Sequence, residues 1–281
     1  MPLPLPASLS PSKVSSFTDC GLAFRFSAID HLPEPPSVAA SRGTLVHAAL
    51  ERLFCLEPAE RTHARSLTCL AEAIEELRSH PEFSGLELDE DTEATFHAEA
   101  RALLEKYFRL EDPTAINPIG IELKLEVEVG GVRLRGIIDR LELDADGELV
   151  VTDYKTGRAP GERQEQQRLA GVAFYSLLCE RLFGKRPARV QLLYLADPLA
   201  IISVPTDRST RGVERKLAAI WTAVERACER EDFRPNPSRL CDWCAFKAYC
   251  PSFGGDIALA DAYRVDQELS LSARRAEPAL A

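Results

Sequence analysis

The chain has 281 residues, of which 45% are hydrophobic, so it can bury a sizeable core in one large domain, with or without a helical insertion. Its formal net charge of −10 argues against a uniformly basic, nucleic-acid-binding surface, although a local basic groove could still lie beside an acidic metal site. No run approaches the roughly 18 apolar residues of a membrane span, and the opening segment MPLPLPASLSPSKVSSF lacks the pattern of a secretory signal. We therefore expect a cytoplasmic protein without a membrane partner.

The first part of the chain is predicted to be helical. Apolar residues recur there at helical spacing, and the proline-rich segment LPEPP interrupts the pattern at residues 32–36. After an arm at residues 1–12, helices are predicted at Ser15–Ile29, Ser41–Phe54, Ala64–Arg78 and Asp91–Leu110. This helical region delays the first strand until about residue 120.

Beyond that point the pattern changes to the two-residue alternation of β-strands. The dipeptides at 130–131 (GG) and 146–147 (DG) predict the turns of two hairpins. Strands are predicted at Ile121–Val129, Val132–Leu143, Leu149–Tyr154, Arg189–Leu195 and Ile201–Val204, and helices at Gln164–Phe183 and Arg211–Arg230. This order predicts an α/β fold with a mixed β-sheet flanked by helices, followed by a tail that is disordered after Ser270.

Charged residues interrupt the apolar faces of the second and third predicted strands. If Leu143 pairs with Leu149 across the turn, Asp139 lies opposite Asp153, with Cβ atoms about 4.5–5.5 Å apart. Two carboxylates that close repel each other, and a bound Mg²⁺ or Mn²⁺ ion would remove the repulsion. Lys155 lies next on the same face, where it could stabilise the charge of a phosphate or orient an attacking water.

Plainer interpretations of these acidic residues stay open. A single D-x-K triplet is common, and it could be a plain Asp–Lys pair at the end of a strand, with Asp139 bonded to Arg140 or another neighbour. Glu122 or Glu126 could add an acidic group near a metal, but strand alternation places both equally well in solvent, and that interpretation is favoured.

The segments GIIDRLEL and VVTDYKTG resemble the core of the PD-(D/E)XK nuclease superfamily, most closely its RecB-like exonuclease branch. The resemblance extends from about Ser12 to Gly255 and implies a restriction-endonuclease-like core that cuts phosphodiester bonds. It implies that Asp139, Asp153 and Lys155 are catalytic. It also implies that the two aspartates and the backbone carbonyl of Tyr154 bind a metal ion.

Two further motifs of this branch concern a histidine and a tyrosine. The segment GTLVHAALE supplies His47, and the resemblance implies that this side chain completes the metal shell; otherwise a pair with Glu51, one helical turn on, would be favoured. The branch also carries a Gln-x-x-x-Tyr motif that contacts DNA. Tyr175 fits that motif, but Gly171 lies four residues before it and Gln167 a further turn upstream. Tyr175 and Gln167 are therefore the predicted DNA contacts, with Tyr175 as a core aromatic the alternative.

Three of the eight cysteines lie close together in CDWCAFKAYC, where Cys241, Cys244 and Cys250 can surround one metal centre. A [4Fe–4S] cluster needs four cysteines. The nuclease branch holds such a cluster with one N-terminal and three C-terminal cysteines, which implies Cys20 as the fourth ligand. Cys228 is the alternative fourth ligand by proximity, and zinc is the alternative metal. The remote fourth ligand and the x5 spacing favour iron–sulfur.

The predicted organisation follows from these motifs. Residues 1–118 form an N-terminal helical region that contributes Cys20 and His47, residues 119–232 form the nuclease core, residues 233–255 hold the iron–sulfur cluster, and residues 256–281 form a tail. The predicted function is a metal-dependent deoxyribonuclease in DNA repair or recombination, acting as an exonuclease on single-stranded ends, alone or with a helicase or repair-complex partner. The rival functions are a DNA-binding or assembly subunit with a weak or silent nuclease site, and an iron–sulfur redox or sensing protein.

Overall fold

The computed structural model of the chain describes residues 2–276, with their side chains except those of residues 162–172 and 268–276. Within that range no helix is long and apolar enough to cross a membrane. The α-helices are α1 (Pro11–Asp19), α2 (Gly21–Ala28), α3 (Val38–Phe54), α4 (His63–Leu77), α5 (Pro81–Ser84), α6 (Glu90–Tyr107), α7 (Glu162–Phe183), α8 (Asp207–Arg230) and α9 (Ile257–Ala276). The strands are β1 (Asn117–Val129), β2 (Val132–Leu143), β3 (Leu149–Lys155), β4 (Arg189–Tyr194) and β5 (Leu199–Ser203). Short 3-10 helices lie at Pro58–Glu60, Pro113–Ala115, Arg239–Trp243, Lys247–Tyr249 and Pro251–Phe253.

The chain divides into two compact units. The sheet unit comprises Pro36–Val129 and Leu134–Arg215, and the terminal unit comprises Met1–Pro35, Gly130–Arg133 and Lys216–Ala281. This division differs from the predicted organisation, in which residues 1–118 form one region. The difference arises because α2 packs with the C-terminal helices α8 and α9, whereas α3 packs with α4 and α6.

The five strands form one sheet in the order β1-β2-β3-β4-β5. Strand β2 runs antiparallel to β3, β3 runs parallel to β4, and β4 runs antiparallel to β5. Parallel neighbours require a long crossover connection, and α7 provides it between β3 and β4. The predicted α/β fold, a mixed sheet flanked by helices, is confirmed.

The turn between β1 and β2 depends on its two glycines. Gly130 and Gly131 have φ angles of +57° and +77°, which are left-handed conformations that side chains with a Cβ atom rarely adopt. Two consecutive left-handed residues give the turn whose twist matches that of the flanking strands. The predicted hairpin at this dipeptide is therefore present.

Helices α3, α4 and α6 share a core with residues of β3 and β4. In α3, Leu45, Ala49 and Leu53 are fully buried at the spacing of one helix face. They pack in the same cluster as Tyr154 of β3 and Leu193 of β4. Each fully buried leucine contributes roughly 1.5–3 kcal/mol through removal of its apolar surface from water. This packing fixes α3 near the third strand.

Helix α9 continues to Ala276, so the chain is helical over residues 271–276, where a disordered tail was predicted to begin after Ser270. Ala260 is fully buried, and Tyr263 packs beside it in the core of the terminal unit. The Arg264 guanidinium lies 3.2 Å from the buried carboxylate of Asp30. Spaced apolar contacts and an ion pair therefore stabilise the first half of α9.

Candidate metal centre and cysteine cluster

The two predicted catalytic aspartates lie where the pairing of β2 with β3 ends. Leu143 pairs with Leu149, as predicted, and the pairing continues for three more residues along each strand. It stops one residue before Asp139 and Asp153, which are nevertheless buried, with 8% and 5% of their surface exposed. Both carboxylates therefore stand at the open end of the paired strands, shielded from solvent.

Asp139 is held by the backbone of β3. The Tyr154 N–H donates a hydrogen bond to Oδ2 of Asp139 at 2.6 Å. The other carboxylate oxygen, Oδ1, lies 3.6 Å from Nδ1 of His47. Asp139 does not point to Arg140, whose side chain forms its contacts with other partners. The alternative of a simple pair between these two neighbours is therefore wrong.

Three groups with metal-binding atoms converge beside this carboxylate. One ligand-type atom from each of His47, Glu122 and Asp139 lies within 4.8 Å of the other two. His47 Nδ1 is 3.8 Å from Oε1 of Glu122, and its Nε2 is 3.1 Å from the carbonyl oxygen of Tyr154. One imidazole and two carboxylates form a donor set that suits Mn²⁺, and the oxygen atoms suit Mg²⁺. The residues present therefore fit a divalent cation.

Glu122 is the residue of this group that strand alternation did not favour. Its φ angle is +45°, and a left-handed conformation at a residue other than glycine costs on the order of 1–3 kcal/mol. The unusual backbone interrupts the regular alternation of β1, so counting residues does not predict where this side chain points. Glu126 follows the solvent-facing prediction, because its carboxylate lies 3.1 Å from the exposed guanidinium of Arg135.

Asp153 and Lys155 form an ion pair next to this group. Burial raises the pKa of Asp153 to about 6, although the charge of Lys155 opposes the rise. Burial also works against the charge on Lys155, but the carboxylate of Asp153 outweighs that effect and raises the pKa of the lysine. Lys155 is thus a cation at neutral pH with 40% of its side chain exposed, and it can reach an incoming anion.

His47 carries a proton in the metal-free protein. Burial disfavours the charged imidazolium, but hydrogen bonds and charge interactions with Asp139 and Glu122 outweigh burial and raise the pKa of His47 to about 10. The proton on this ring therefore balances part of the negative charge of the two carboxylates. A metal ion that binds through the ring must displace the proton, because only the neutral imidazole is a ligand.

Tyr175 of α7 is the predicted DNA contact that the structure brings to this region. Burial raises the pKa of its hydroxyl above the usual value, and nearby carboxylates, Asp153 foremost, raise it further, so the hydroxyl is a neutral donor. The ring packs over Gly136 of β2, where an added Cβ atom would lie 3.0 Å from Cε1 of Tyr175. The side chain of Gln167 and the surroundings of Gly171 lie outside the part of the chain whose side chains are described.

Comparison with known proteins identifies the family. A sequence model of the PD-(D/E)XK nuclease superfamily matches residues 8–251. The chain belongs to the PD-(D/E)XK nuclease superfamily. The Gene 69 protein of Mycobacterium phage D29 is 25% identical over 271 residues, which cover 87% of this chain and 96% of that protein. The Gene 69 protein of Mycobacterium phage L5 is 29% identical over 136 residues, covering 47% of this chain and 44% of that protein.

Among solved structures, a candidate exonuclease from Eubacterium rectale has the same fold. Its TM-score is 0.51 at 13% sequence identity, and the similarity covers 85% of this chain and 87% of that one. Similarity at this level of identity supports the PD-(D/E)XK fold alone. The superfamily assignment and this fold together agree with the restriction-endonuclease-like core that the sequence motifs implied.

The four cysteines of the predicted cluster line one cavity of about 30 Å³ in the terminal unit. All eight cysteines of the chain are free thiols. Cys228, the alternative fourth ligand, is buried elsewhere, and its thiol lies 3.6 Å from the carbonyl oxygen of Pro4. The residues around the cavity include aromatic side chains, and its cysteines are Cys20, Cys241, Cys244 and Cys250.

Two of these sulfur atoms accept backbone hydrogen bonds. The Asn236 N–H donates to Sγ of Cys20 and the Ser238 N–H to Sγ of Cys241, each at 3.4 Å. Both backbone N–H groups therefore point at sulfur atoms that line the cavity. Among the described residues, no three cysteine sulfurs lie within 4.8 Å of one another, whereas tetrahedral zinc with Zn–S bonds of about 2.3 Å requires sulfurs about 3.8 Å apart.

Proposed function

We propose that the protein is a metal-dependent deoxyribonuclease that hydrolyses phosphodiester bonds as a RecB-like exonuclease. The observation that carries the proposal is the convergence of metal-binding atoms from His47, Glu122 and Asp139 beside the ion pair of Asp153 and Lys155. A superfamily match alone would leave the site unspecified. This arrangement supplies both a place for a cation and a second positive charge for the phosphate.

The metal ligands we propose include the three converging side chains of His47, Glu122 and Asp139. Asp153 and the carbonyl oxygen of Tyr154 are added to them, because the family resemblance implies both. A divalent cation bound there polarises a phosphodiester group and lowers the pKa of a bound water molecule. Mg²⁺ and Mn²⁺ are the proposed ions. Because one of the ligands is an imidazole nitrogen, we expect Mn²⁺ to bind more tightly.

The chain's own groups have separate tasks in this proposal. Lys155 places an ammonium group where a phosphate oxygen gains negative charge, and removal of one such stabilising group typically costs about 100-fold to 1,000-fold in rate. Asp153 holds that ammonium group in place through their ion pair. The Tyr175 hydroxyl can donate a hydrogen bond to a phosphate oxygen, because it remains neutral and lies near the carboxylates.

We further propose that Cys20, Cys241, Cys244 and Cys250 hold a [4Fe–4S] cluster in the terminal unit. The shared cavity and the backbone hydrogen bonds to two sulfurs support this part of the proposal. Single-stranded DNA ends as substrate, a role in repair or recombination, and a helicase or repair-complex partner are proposed from the resemblance to the RecB-like branch.

The test of nuclease activity uses anaerobically purified protein, end-labelled single-stranded DNA and Mn²⁺. Wild-type protein should shorten the DNA from an end, whereas Asp153→Asn and Lys155→Ala should lose at least about 100-fold in rate. Glu126→Gln is a matched control, because it removes a carboxylate from the surface of β1 without touching the site. Activity that persists in the Asp153 and Lys155 variants would overturn the assignment of the site.

The second candidate function is a DNA-binding subunit with a silent nuclease site. The observation that favours it is Gly171, which stands where the family motif has glutamine, together with the net charge of −10. Salt-dependent DNA binding without cleavage in Mg²⁺ and in Mn²⁺ would support this function over the first. A visible absorption spectrum with iron and zinc quantified on the same preparation tests the cluster.

A further inference from the structure

We propose that Arg140 is a positioning residue for the metal centre. It holds the ends of β2 and β3 together from the face opposite Asp139, so that the carboxylate of Asp139 meets the backbone N–H of Tyr154 and Asp153 stays beside Lys155. The inference rests on the proposed function of the metal centre and adds a residue that does not itself contact a metal or substrate.

The first support is the complete hydrogen bonding of the guanidinium group. Arg140 is fully buried, and each of its five N–H groups has an acceptor. Its Nε donates to Glu142, while Nη1 and Nη2 donate to the two carboxylate oxygens of Glu111 at 2.9 and 2.7 Å. The remaining two donors reach the hydroxyl of Tyr154 at 2.7 Å and that of Thr152 at 3.1 Å. A planar group held by five directed bonds has a single orientation.

The second support is where these acceptors lie along the chain. Arg140 follows Asp139 in β2, and the two hydroxyls belong to Thr152 and Tyr154, which flank Asp153 in β3. The regular pairing of the two strands ends at Arg140 and Thr152. The side-chain hydrogen bonds of Arg140 therefore join β2 to β3 at the point where backbone pairing stops. They link the two segments that carry Asp139 and Asp153.

The third support is that the network extends to the neighbouring elements of the sheet unit. The guanidinium carbon of Arg140 lies 4.7 Å from the ring centre of Phe54, on α3. The same helix carries His47, whose ring meets the ring of Tyr154 edge-on at 5.9 Å between centres. On β4, the amide of Gln191 donates to the Thr152 hydroxyl at 2.8 Å. Helix α3 and strands β2 and β3, which supply metal-binding atoms, are thus tied to one buried cation.

The test must separate positioning from general stability. Arg140→Ala would leave the carboxylates of Glu111 and Glu142 buried without their cation, so loss of the fold could mask any effect on the site. Arg140→Lys keeps the positive charge but offers three donors in place of the planar set of five. Tyr154→Phe removes only the hydroxyl and leaves the backbone N–H and carbonyl of that residue in place.

Arg61→Lys is the matched control. Arg61 is also buried in the sheet unit and also lies over Phe54, at 5.3 Å, but its guanidinium donates to the backbone carbonyls of Leu56, Pro113 and Ile116. The control therefore perturbs the same ring and removes the same kind of donor set. It does not alter a bond to β2 or β3.

The readouts are Mn²⁺ affinity, measured calorimetrically on metal-free protein, and the separate values of kcat and KM on DNA. Arg140→Lys and Tyr154→Phe should weaken Mn²⁺ binding and lower kcat by about tenfold or more, with little change in KM, since groups that orient metal ligands typically contribute about 10–100-fold. Arg61→Lys should lower the melting temperature while Mn²⁺ affinity stays within about twofold of wild type.

If wild-type protein binds Mn²⁺ and cuts DNA, either of two results would overturn the role of Arg140 and leave the proposed function in place. One is unchanged Mn²⁺ affinity and kcat in both Arg140→Lys and Tyr154→Phe, and the other is an equal loss in Arg61→Lys. Wild-type protein that binds no Mn²⁺ would overturn both the inference and the proposed metal centre. Wild-type protein that binds Mn²⁺ without cutting DNA would overturn the proposed nuclease function, while the affinity measurements would still decide the role of Arg140.

Discussion

Binding of Mn²⁺ at about pH 8 is expected to release about one proton per metal ion, because the metal must displace the proton on His47. The pKa of this residue is raised to about 10, about two units above the pH of the experiment, so about 99% of the imidazole is protonated before the metal binds. Displacement of the proton then costs roughly 3 kcal/mol at about pH 8. The cost falls by about 1.4 kcal/mol for each unit by which the pH is raised toward 10.

The apparent Mn²⁺ affinity should therefore rise about tenfold per pH unit between about pH 7 and pH 8.5. Below about pH 6 the rise should be steeper, because protonation of Asp153 also competes with the metal there. Without metal, the raised pKa of His47 gives the opposite dependence: its contribution to folding is complete below about pH 6.5 and is lost as the pH rises through about 10.

Isothermal titration calorimetry in two buffers with different ionisation enthalpies measures the number of protons released. His47→Gln should remove the proton release and weaken Mn²⁺ binding, whereas His63→Gln, a change at the exposed start of α4, should leave both as in wild type. Release of fewer than about 0.3 protons at about pH 8, or an affinity independent of pH, would refute the assignment of His47 as a ligand that is protonated before the metal binds.

Three further outcomes follow from single contacts. Glu122→Gln should weaken Mn²⁺ binding in calorimetry by about tenfold, while Glu126→Gln should not change it; equal effects would contradict the placement of Glu122 in the site. Cys20→Ser should lose bound iron and visible absorption while Cys228→Ser retains them, and the reverse result would exclude Cys20 as a cluster ligand. Gly136→Ala should reduce the free energy of unfolding in urea by about 1–3 kcal/mol, because its Cβ would lie 2.8 Å from a methyl carbon of Leu178; an unchanged urea midpoint would show that α7 adjusts freely.

Much of the fold could be predicted because local patterns determine it. The glycine pair at 130–131 readily adopts the two left-handed conformations that a tight turn requires. The alternating pattern of β2 and β3 permits one pairing register in which both apolar faces are buried. That register brings Asp139 and Asp153 to the same end of the paired strands. The helix α9 escaped prediction, since its buried contacts with the N-terminal segment are distant in sequence.

Two features of the site depend on geometry that the residue pattern does not encode. The alternation of side chains between the two faces of a strand is interrupted at Glu122, because its left-handed backbone redirects the side chain. Strand alternation also does not predict the burial of Arg140, where both faces of β2 are covered and the guanidinium is fully buried. The acidic residues near Arg140 in the sequence, Asp139 and Glu142, suggest ion pairs for its guanidinium. The pair with Glu111 is not predictable in this way, because Glu111 lies outside the strands and meets Arg140 only in the folded chain.

The cysteine cavity sets an order of events during synthesis of the protein. Asn236, which bonds to the sulfur of Cys20, follows that cysteine by 216 residues, and the three other thiols come later still. The last residue of the sheet unit, Arg215, has left the ribosome's catalytic centre before any of those three thiols is made. Binding of the proposed cluster in this cavity therefore follows synthesis of the whole sheet unit. A nascent chain arrested before Cys250 would carry every residue of the proposed metal centre but only part of the proposed cluster's ligand set.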